Sequence, residues 1–311
     1  MTSGLPRRAV VFAYHDVGVR SLSVLLAHGV DVRLVVTHTD NPAETIWFAS
    51  VADLARLNDI PVITPPEPNL LEVIEQVSAC QPDWLFSFYY RHMLGAELLA
   101  LPSRGAYNVH GSLLPKYRGR VPVNWAVLHG ESTTGASLHR MASKPDAGPL
   151  VDQETVAILP NDTAHDVFQK VTWAAERVLM RSLPTLLAGT ARETPLDLAA
   201  GSYFGGRRPE DGRIDWTATT WEIHNLIRAV APPYPGAFFD VRGVRLQLLG
   251  SHYRGAAARG KGTRIYWHAG RCWADCADGN RLCLTSVAVD GQSVDEMAFR
   301  RLFGTPELVI A

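Results

Sequence analysis

Apolar and polar positions follow two alternating periods along the first two-thirds of the chain. Residues 9–13 form an unbroken apolar run, which predicts a strand buried on both faces. Residues 17–28 instead place Val17, Leu22, Leu25 and Leu26 at helical spacing, with Gly29 as a stop. Further strands are predicted over 32–37, 61–64, 83–88 and 106–110, with helices over 50–57, 70–79 and 95–101 between them. Repeated strand–helix units predict an α/β fold, a Rossmann-like doubly wound and mainly parallel sheet, with ligands at the carboxyl ends of the strands. Phe88-Tyr89-Tyr90 and Asn108–His110 lie at two such ends. A helix over 122–129, strands over 135–141 and 150–158 and a long helix over 163–187, capped by Thr163, complete a first domain over 1–190.

The pattern then changes. Residues 191–213 are rich in Gly, Arg, Thr and Pro and read as a linker. Over 214–311 a helix at 220–230 precedes short strands at 236–241, 245–251, 264–267, 272–276 and 281–287. Ser293 and Glu296 have capping-box spacing at the start of a last helix. Short strands separated by turns predict a small barrel-like (OB-like) C-terminal domain.

Composition narrows the function classes. A length of 311 residues favours two domains over one core. A formal charge of -1 provides no basic field for nucleic acid. The four cysteines, at 80, 272, 276 and 283, lack zinc-ligand spacing and read as reduced thiols, so no metal is expected. No apolar stretch reaches membrane-spanning length, and the N-terminal run is too short for a signal peptide, so a cytoplasmic protein without membrane insertion is expected. G-x-G-x-x-G, Walker A, H-E-x-x-H and G-x-S-x-G patterns are absent.

The stretch 105–146 carries the chemistry. Strand alternation sends Asn108 and His110 to one side, so an amide donor and an imidazole emerge together. His110 can serve as general base or acid near neutral pH. Asn108 can donate an N–H to an oxyanion on a carbonyl carbon, and Asp146 can orient the imidazole and stabilise its charged form. That set fits acyl-group transfer, although spacing alone does not separate it from a structural histidine and a turn-forming aspartate.

The motif NVHGSLLPKYRGRVPVNWAVLHGESTTG, followed by LHRMASKPDAG, resembles the signature of formyltransferases that use 10-formyltetrahydrofolate: Asn-x-His, then S-L-L-P-x-x-R-G, then an Asp in a D-x-G loop. The segments VVFAYHDVG, VVTHTDNP, FSFYYRH, FGGRRPEDG, HNLIRAV and PYPGAF extend the likeness over nearly the whole chain. The resemblance implies that Asn108, His110 and Asp146 are catalytic. It also implies that His92, Met93, Leu94, Arg120 and Ala142-Ser143-Lys144-Pro145-Asp146 hold the folate donor.

Within the family the likeness is greatest to members that formylate UDP-4-amino-4-deoxy-L-arabinose, a step in the lipid A modification behind polymyxin resistance. A stand-alone form without a decarboxylase domain is expected, because 311 residues leave no room for one. A dTDP-linked amino sugar and methionyl-tRNA are the alternative acceptors. The loop over 37–45 contains no Lys or Arg, which favours a sugar over tRNA, so no nucleic-acid partner is expected. A non-catalytic folate binder and a folate-deformylating hydrolase fit the fold less well, and a homo-oligomer is compatible with it. Arg207, Arg208 and Arg228 are candidates for a pyrophosphate, since guanidinium matches phosphate geometry.

Overall fold

The computed structural model describes residues 7–42 and 44–310. The signal-peptide expectation falls largely on residues 1–6, which lie outside the described residues, as does Ala43 of the loop over 37–45. The chain forms two compact units, neither continuous in sequence. The first runs to Pro122 and then takes in Thr134–Val156 and Lys170–Phe204; the second comprises Val123–Thr133, Ala157–Gln169 and the chain from Gly205 onward.

From the amino end the elements are β1 (Arg8–Ala13), α1 (His15–Ala27), β2 (Asp31–Val36), α2 (Val51–Leu57), β3 (Val62–Ile63), α3 (Leu71–Ala79) and β4 (Trp84–Phe88). There follow α4 (Ala96–Ala100), β5 (Gly105–His110), β6 (Arg118–Gly119), α5 (Pro122–Leu128), β7 (Thr133–Arg140), β8 (Leu150–Ala157), α6 (Ala164–Ala188) and β9 (Tyr203–Phe204). The main sheet has the order β3-β2-β1-β4-β5-β7-β8. Each strand pair from β3 to β5 is parallel, and β7 then joins β5 antiparallel. The mainly parallel sheet is the one the periodicity predicts. β1 sits inside it because residues 9–13, all buried, need cover on both faces. Val10, Phe12, Leu34, Val36, Leu85 and Leu98 form one of its cores.

Several details depart from the sequence reading. β6 and β9 are two residues each, too short for any periodic signal, yet they pair in parallel with Arg118 opposite Tyr203. Residues 191–213, expected as a linker, therefore include a strand, and they also include a 3-10 turn at Pro209–Gly212. Thr163 caps α6 as expected: its Oγ1 accepts from Asp166 N at 3.2 Å while its own N–H donates to Asp166 Oδ2 at 2.9 Å.

The second unit adds α7 (Thr220–Ala229), β10 (Ala237–Val241), β11 (Val244–Ala257), β12 (Arg264–His268), β13 (Arg271–Asp275), β14 (Asn280–Val289), β15 (Gln292–Ser293), α8 (Glu296–Phe303) and β16 (Glu307–Val309). The strand path β10-β11-β14-β13-β12-β16 is antiparallel at each pair and makes a half-barrel, the barrel-like C-terminal domain expected. Ile223, Ile227, Phe239, Leu246, Ile265, Leu282 and Phe299 fill its core. β11 runs six residues past its expected end at 251, where register shifts break the alternation that marks a strand in sequence. The last helix is capped by Asp295, whose side chain accepts from Ala298 N at 2.7 Å. Ser293, the expected cap, is instead paired with Ala288 in β15. All four cysteines are free, and burial pushes Cys272 up to about 12 and Cys276 up to about 11, so both stay thiols at neutral pH. Among the described residues no helix is long and apolar enough to cross a membrane.

Candidate active site

β5 ends on His110, with Ser87 and Phe88 of β4 beside Asn108 and Val109. The S-L-L-P segment that follows is clamped from β7 and β8. Ser137 Oγ donates to Ser112 O at 2.5 Å and accepts from Leu114 N at 3.0 Å. Gln153 Nε2 donates to Leu114 O at 2.8 Å. The segment turns back toward His110, whose Nε2 lies 2.8 Å from the carbonyl oxygen of Tyr117. A carbonyl only accepts, so Nε2 carries a hydrogen, and in the neutral ring Nδ1 is the acceptor.

That Nδ1 faces Asp146 Oδ1 at 3.5 Å. Asp146 is itself held by the Gly119 N–H on Oδ2 at 2.9 Å, and His139 Nε2 stands 3.6 Å from Oδ1. Gly119 has φ 97°, and an added Cβ would run into the carbonyl oxygen of Phe204, so this amide reaches the carboxylate only because no side chain is present. Asp146 has φ 48°, a left-handed backbone that costs a non-glycine residue on the order of 1–3 kcal/mol. The loop bearing it is tied at both ends, Met141 N to Ala106 O at 2.8 Å and Arg140 N to Pro149 O at 2.9 Å.

Burial works against a charged Asp146. The charge that His110 can carry and the Gly119 N–H outweigh it and hold the carboxyl well below the usual carboxylate range. The site therefore contains a largely buried carboxylate, ionised at neutral pH, 3.5 Å from His110 Nδ1.

The structure brings Asn108, His110 and Asp146 together, through His139. Asn108 lies directly opposite His139 across the β5–β7 pair, and its Nδ2 is 3.1 Å from His139 Nε2. His139 has no local sequence signal; only the antiparallel register places it. Tyr117 and Gly119 escaped the sequence reading as well, because they act through backbone groups. Arg118 between them is only 7% exposed, and its Nε and Nη1 have no hydrogen-bond partner among the described residues.

The residues expected to hold a folate fall in two places. The segment after β4 is fixed by Asn69, which donates from Nδ2 to Met93 O at 2.9 Å and accepts from Gly95 N at 2.6 Å on Oδ1. Here His92 lies 3.4 Å from Glu67 Oε2, Met93 is 51% exposed, and Leu94 is 3% exposed in the core, leaving only its backbone on offer. Tyr90 stacks on His38 at 4.2 Å, and its buried hydroxyl has no partner among the described residues. Arg120, Ser143 and Lys144 are exposed, and Ala142 and Pro145 are half-buried around Asp146.

The arginines proposed for a pyrophosphate belong to the second unit. Arg228 is buried and donates to Asn225 Oδ1 at 2.9 Å and Asp162 O at 3.0 Å. Arg207 donates to Asn124 Oδ1 at 2.7 Å and Asp211 O at 3.0 Å, and Arg208 is exposed. Among the described residues no three His, Cys, Asp or Glu side chains are grouped to hold a metal ion.

Comparison with known proteins places this geometry. Among solved structures, an N-formyltransferase of Helicobacter canadensis in complex with folinic acid and dTDP-3-aminofucose superposes with a TM-score of 0.71 at 20% identity, covering 93% of this chain and all of that one. WlaRD, a sugar 3N-formyltransferase solved with dTDP and 5-N-formyl-THF, gives 0.70 at 20% identity over 93% of this chain and all of its own. A 4-N formyltransferase of Francisella tularensis gives 0.62 at 20% identity over 77% of this chain and 95% of its own. At these identities the likeness establishes the fold. A model described as formyl transferase matches residues 22–183, and one described as formyl transferase, C-terminal domain, matches residues 207–299. The first match alone spans more than half of the 311 residues and contains Asn108, His110 and Asp146, and the chain belongs to the formyl transferase family.

Proposed function

We propose that this enzyme transfers a formyl group from 10-formyltetrahydrofolate to the amine of a nucleotide-linked amino sugar, with a dTDP-linked sugar the first acceptor to test. The observation that carries the chemistry is the His110–Asp146 contact of 3.5 Å, with the Asn108 amide joined to it through His139. The dTDP reading draws on the Helicobacter and WlaRD structures, solved with dTDP-3-aminofucose and with dTDP. UDP-4-amino-4-deoxy-L-arabinose, the acceptor expected first, rests on the signature resemblance alone and becomes the second reading. A tRNA acceptor finds less support. The loop over 37–45 presents Asp40, which accepts from the Tyr14 hydroxyl, and Glu44, which pairs with Arg91, and neither attracts a polyanion.

Folate fits the segment after β4. An exposed Met93 and the His38–Tyr90 ring stack offer apolar contact, and the buried Tyr90 hydroxyl, unpaired among the described residues, adds one polar group beneath it. When bound, the donor supplies an activated one-carbon unit at the formyl level. His110 Nδ1 takes the proton that the sugar amine loses on attack and returns one to the departing nitrogen. Asn108 gives an amide N–H to the formyl oxygen as charge builds there, and Asp146 stabilises the His110 imidazolium. Arg118, buried with Nε and Nη1 unpaired among the described residues, is a guanidinium of this unit available to the acceptor's diphosphate. The test is a panel of dTDP- and UDP-linked amino sugars with 10-formyltetrahydrofolate, following folate release. Release with a dTDP-linked amine supports the reading; release without any amine points to a hydrolase.

A further inference from the structure

We propose that His139 is a positioning residue that fixes which end of the Asn108 amide faces the reacting carbonyl. The proposal rests on the formyl-transfer reading above. His139 is 2% exposed, and its two ring nitrogens meet different groups. Nδ1 lies 2.9 Å from the carbonyl oxygen of Arg140. Because a carbonyl only accepts, Nδ1 bears the hydrogen, and in the neutral ring Nε2 is then an acceptor.

The group at that acceptor is Asn108 Nδ2, at 3.1 Å, placed there by the direct Asn108–His139 pairing of β5 and β7. An asparagine amide is nearly symmetric in shape, so a site needing a donor requires something to prevent its rotation by half a turn. His139 Nε2 supplies that discrimination. It accepts one Nδ2 hydrogen and would meet the carbonyl end of a rotated amide lone pair to lone pair. The second Nδ2 hydrogen has no partner among the described residues and is the one left for the formyl oxygen.

Asp146 Oδ1 lies 3.6 Å from the same Nε2. The carboxylate competes with Asn108 for that nitrogen: a hydrogen on Nε2 would go to Asp146 and leave Asn108 presenting its oxygen to His139, and the tautomer measurement below separates the two arrangements. The chain thus reads Arg140 carbonyl, His139, Asn108, formyl oxygen, with each link setting the direction of the next.

Two measurements decide the matter. The first is activity at saturating donor in His139→Leu, His139→Gln, Asn108→Ala and the Asn108→Ala/His139→Leu double variant. His139→Leu should lower kcat at least about tenfold with the donor KM little changed, within the loss of about 10²–10³-fold expected for an absent oxyanion donor. His139→Gln, whose side-chain oxygen can accept, should recover most of that loss. In the Asn108→Ala background the His139→Leu change should have no further effect. Multiplying effects in the double variant, or equal losses for Leu and Gln, would overturn the assignment.

The second measurement uses the wild-type protein without substrates: nitrogen-15 NMR of labelled histidine should show His139 protonated on Nδ1 and bare on Nε2 at neutral pH. A protonated Nε2 overturns the proposal even if the Leu variant fails to fold. This arm needs no acceptor. If wild-type enzyme transfers formyl to no amine, the transfer reading fails while the NMR result still decides the orientation claim.

Discussion

Replacing Asp146 by asparagine removes a charge while keeping the shape and the oxygen that accepts from Gly119. The structure sets the size of the effect. In the transition state His110 carries a positive charge whose Nδ1 is 3.5 Å from Asp146 Oδ1. At an effective dielectric near 20 that attraction is about 5 kcal/mol. The amide dipole of the variant recovers part of it, and burial no longer opposes a charge at 146. A net loss of about 2–3 kcal/mol is expected, or roughly a 30- to 150-fold fall in kcat at saturating donor. The variant should fold at least as well as wild type, because the buried carboxylate is maintained against its own desolvation cost. The assay is folate release with the best acceptor from the nucleotide-sugar panel, accompanied by thermal unfolding. A variant that folds and retains kcat within about threefold of wild type would refute electrostatic stabilisation of His110 by Asp146.

Other consequences concern neighbouring groups. His110→Ala should lower transfer by about 10²–10⁴-fold and leave folate affinity, measured by fluorescence quenching, nearly unchanged. Asn108→Asp puts a negative acceptor where a donor is needed and should cost at least about 10²-fold in kcat, checked with the same assay. His224 in the half-barrel unit accepts from Ser251 Oγ and donates to the Pro160 carbonyl; burial lowers it from 6.5 to about 4, with Arg228 and His252 contributing. Its folded pKa is depressed, so its contribution is present above pH 6.5 and is lost as pH falls toward 4, at most about 3 kcal/mol. Urea unfolding at about pH 7 and about pH 5 should show the loss, and His224→Gln should flatten it.

Much of this arrangement is legible in the chain itself. The apolar run 9–13 requires two covered faces, and that places β1 inside the sheet. The alternation through 106–110 puts Asn108 and His110 on one side, and the D-x-G loop marks Asp146. What escapes is whatever depends on register or backbone. His139 reaches Asn108 only through the antiparallel pairing of β5 with β7, which no local pattern encodes. Tyr117 contributes a carbonyl and Gly119 an N–H, and residue identity does not announce such roles. β6 and β9 have no periodicity at two residues each, so the contact that carries Gly119 to Asp146 could not be foreseen. The half-barrel hides its longest strand for a related reason: shifts along β11 interrupt the alternation that identifies a strand.

The most direct test of the central claim is product identification after incubating the protein with 10-formyltetrahydrofolate and a dTDP-linked amino sugar. Mass spectrometry should show the N-formylated sugar nucleotide in amounts that match the folate released, with neither formed when His110 is replaced by alanine. Folate release that is independent of the amine, or no formylated product from any nucleotide-linked amino sugar, would contradict it.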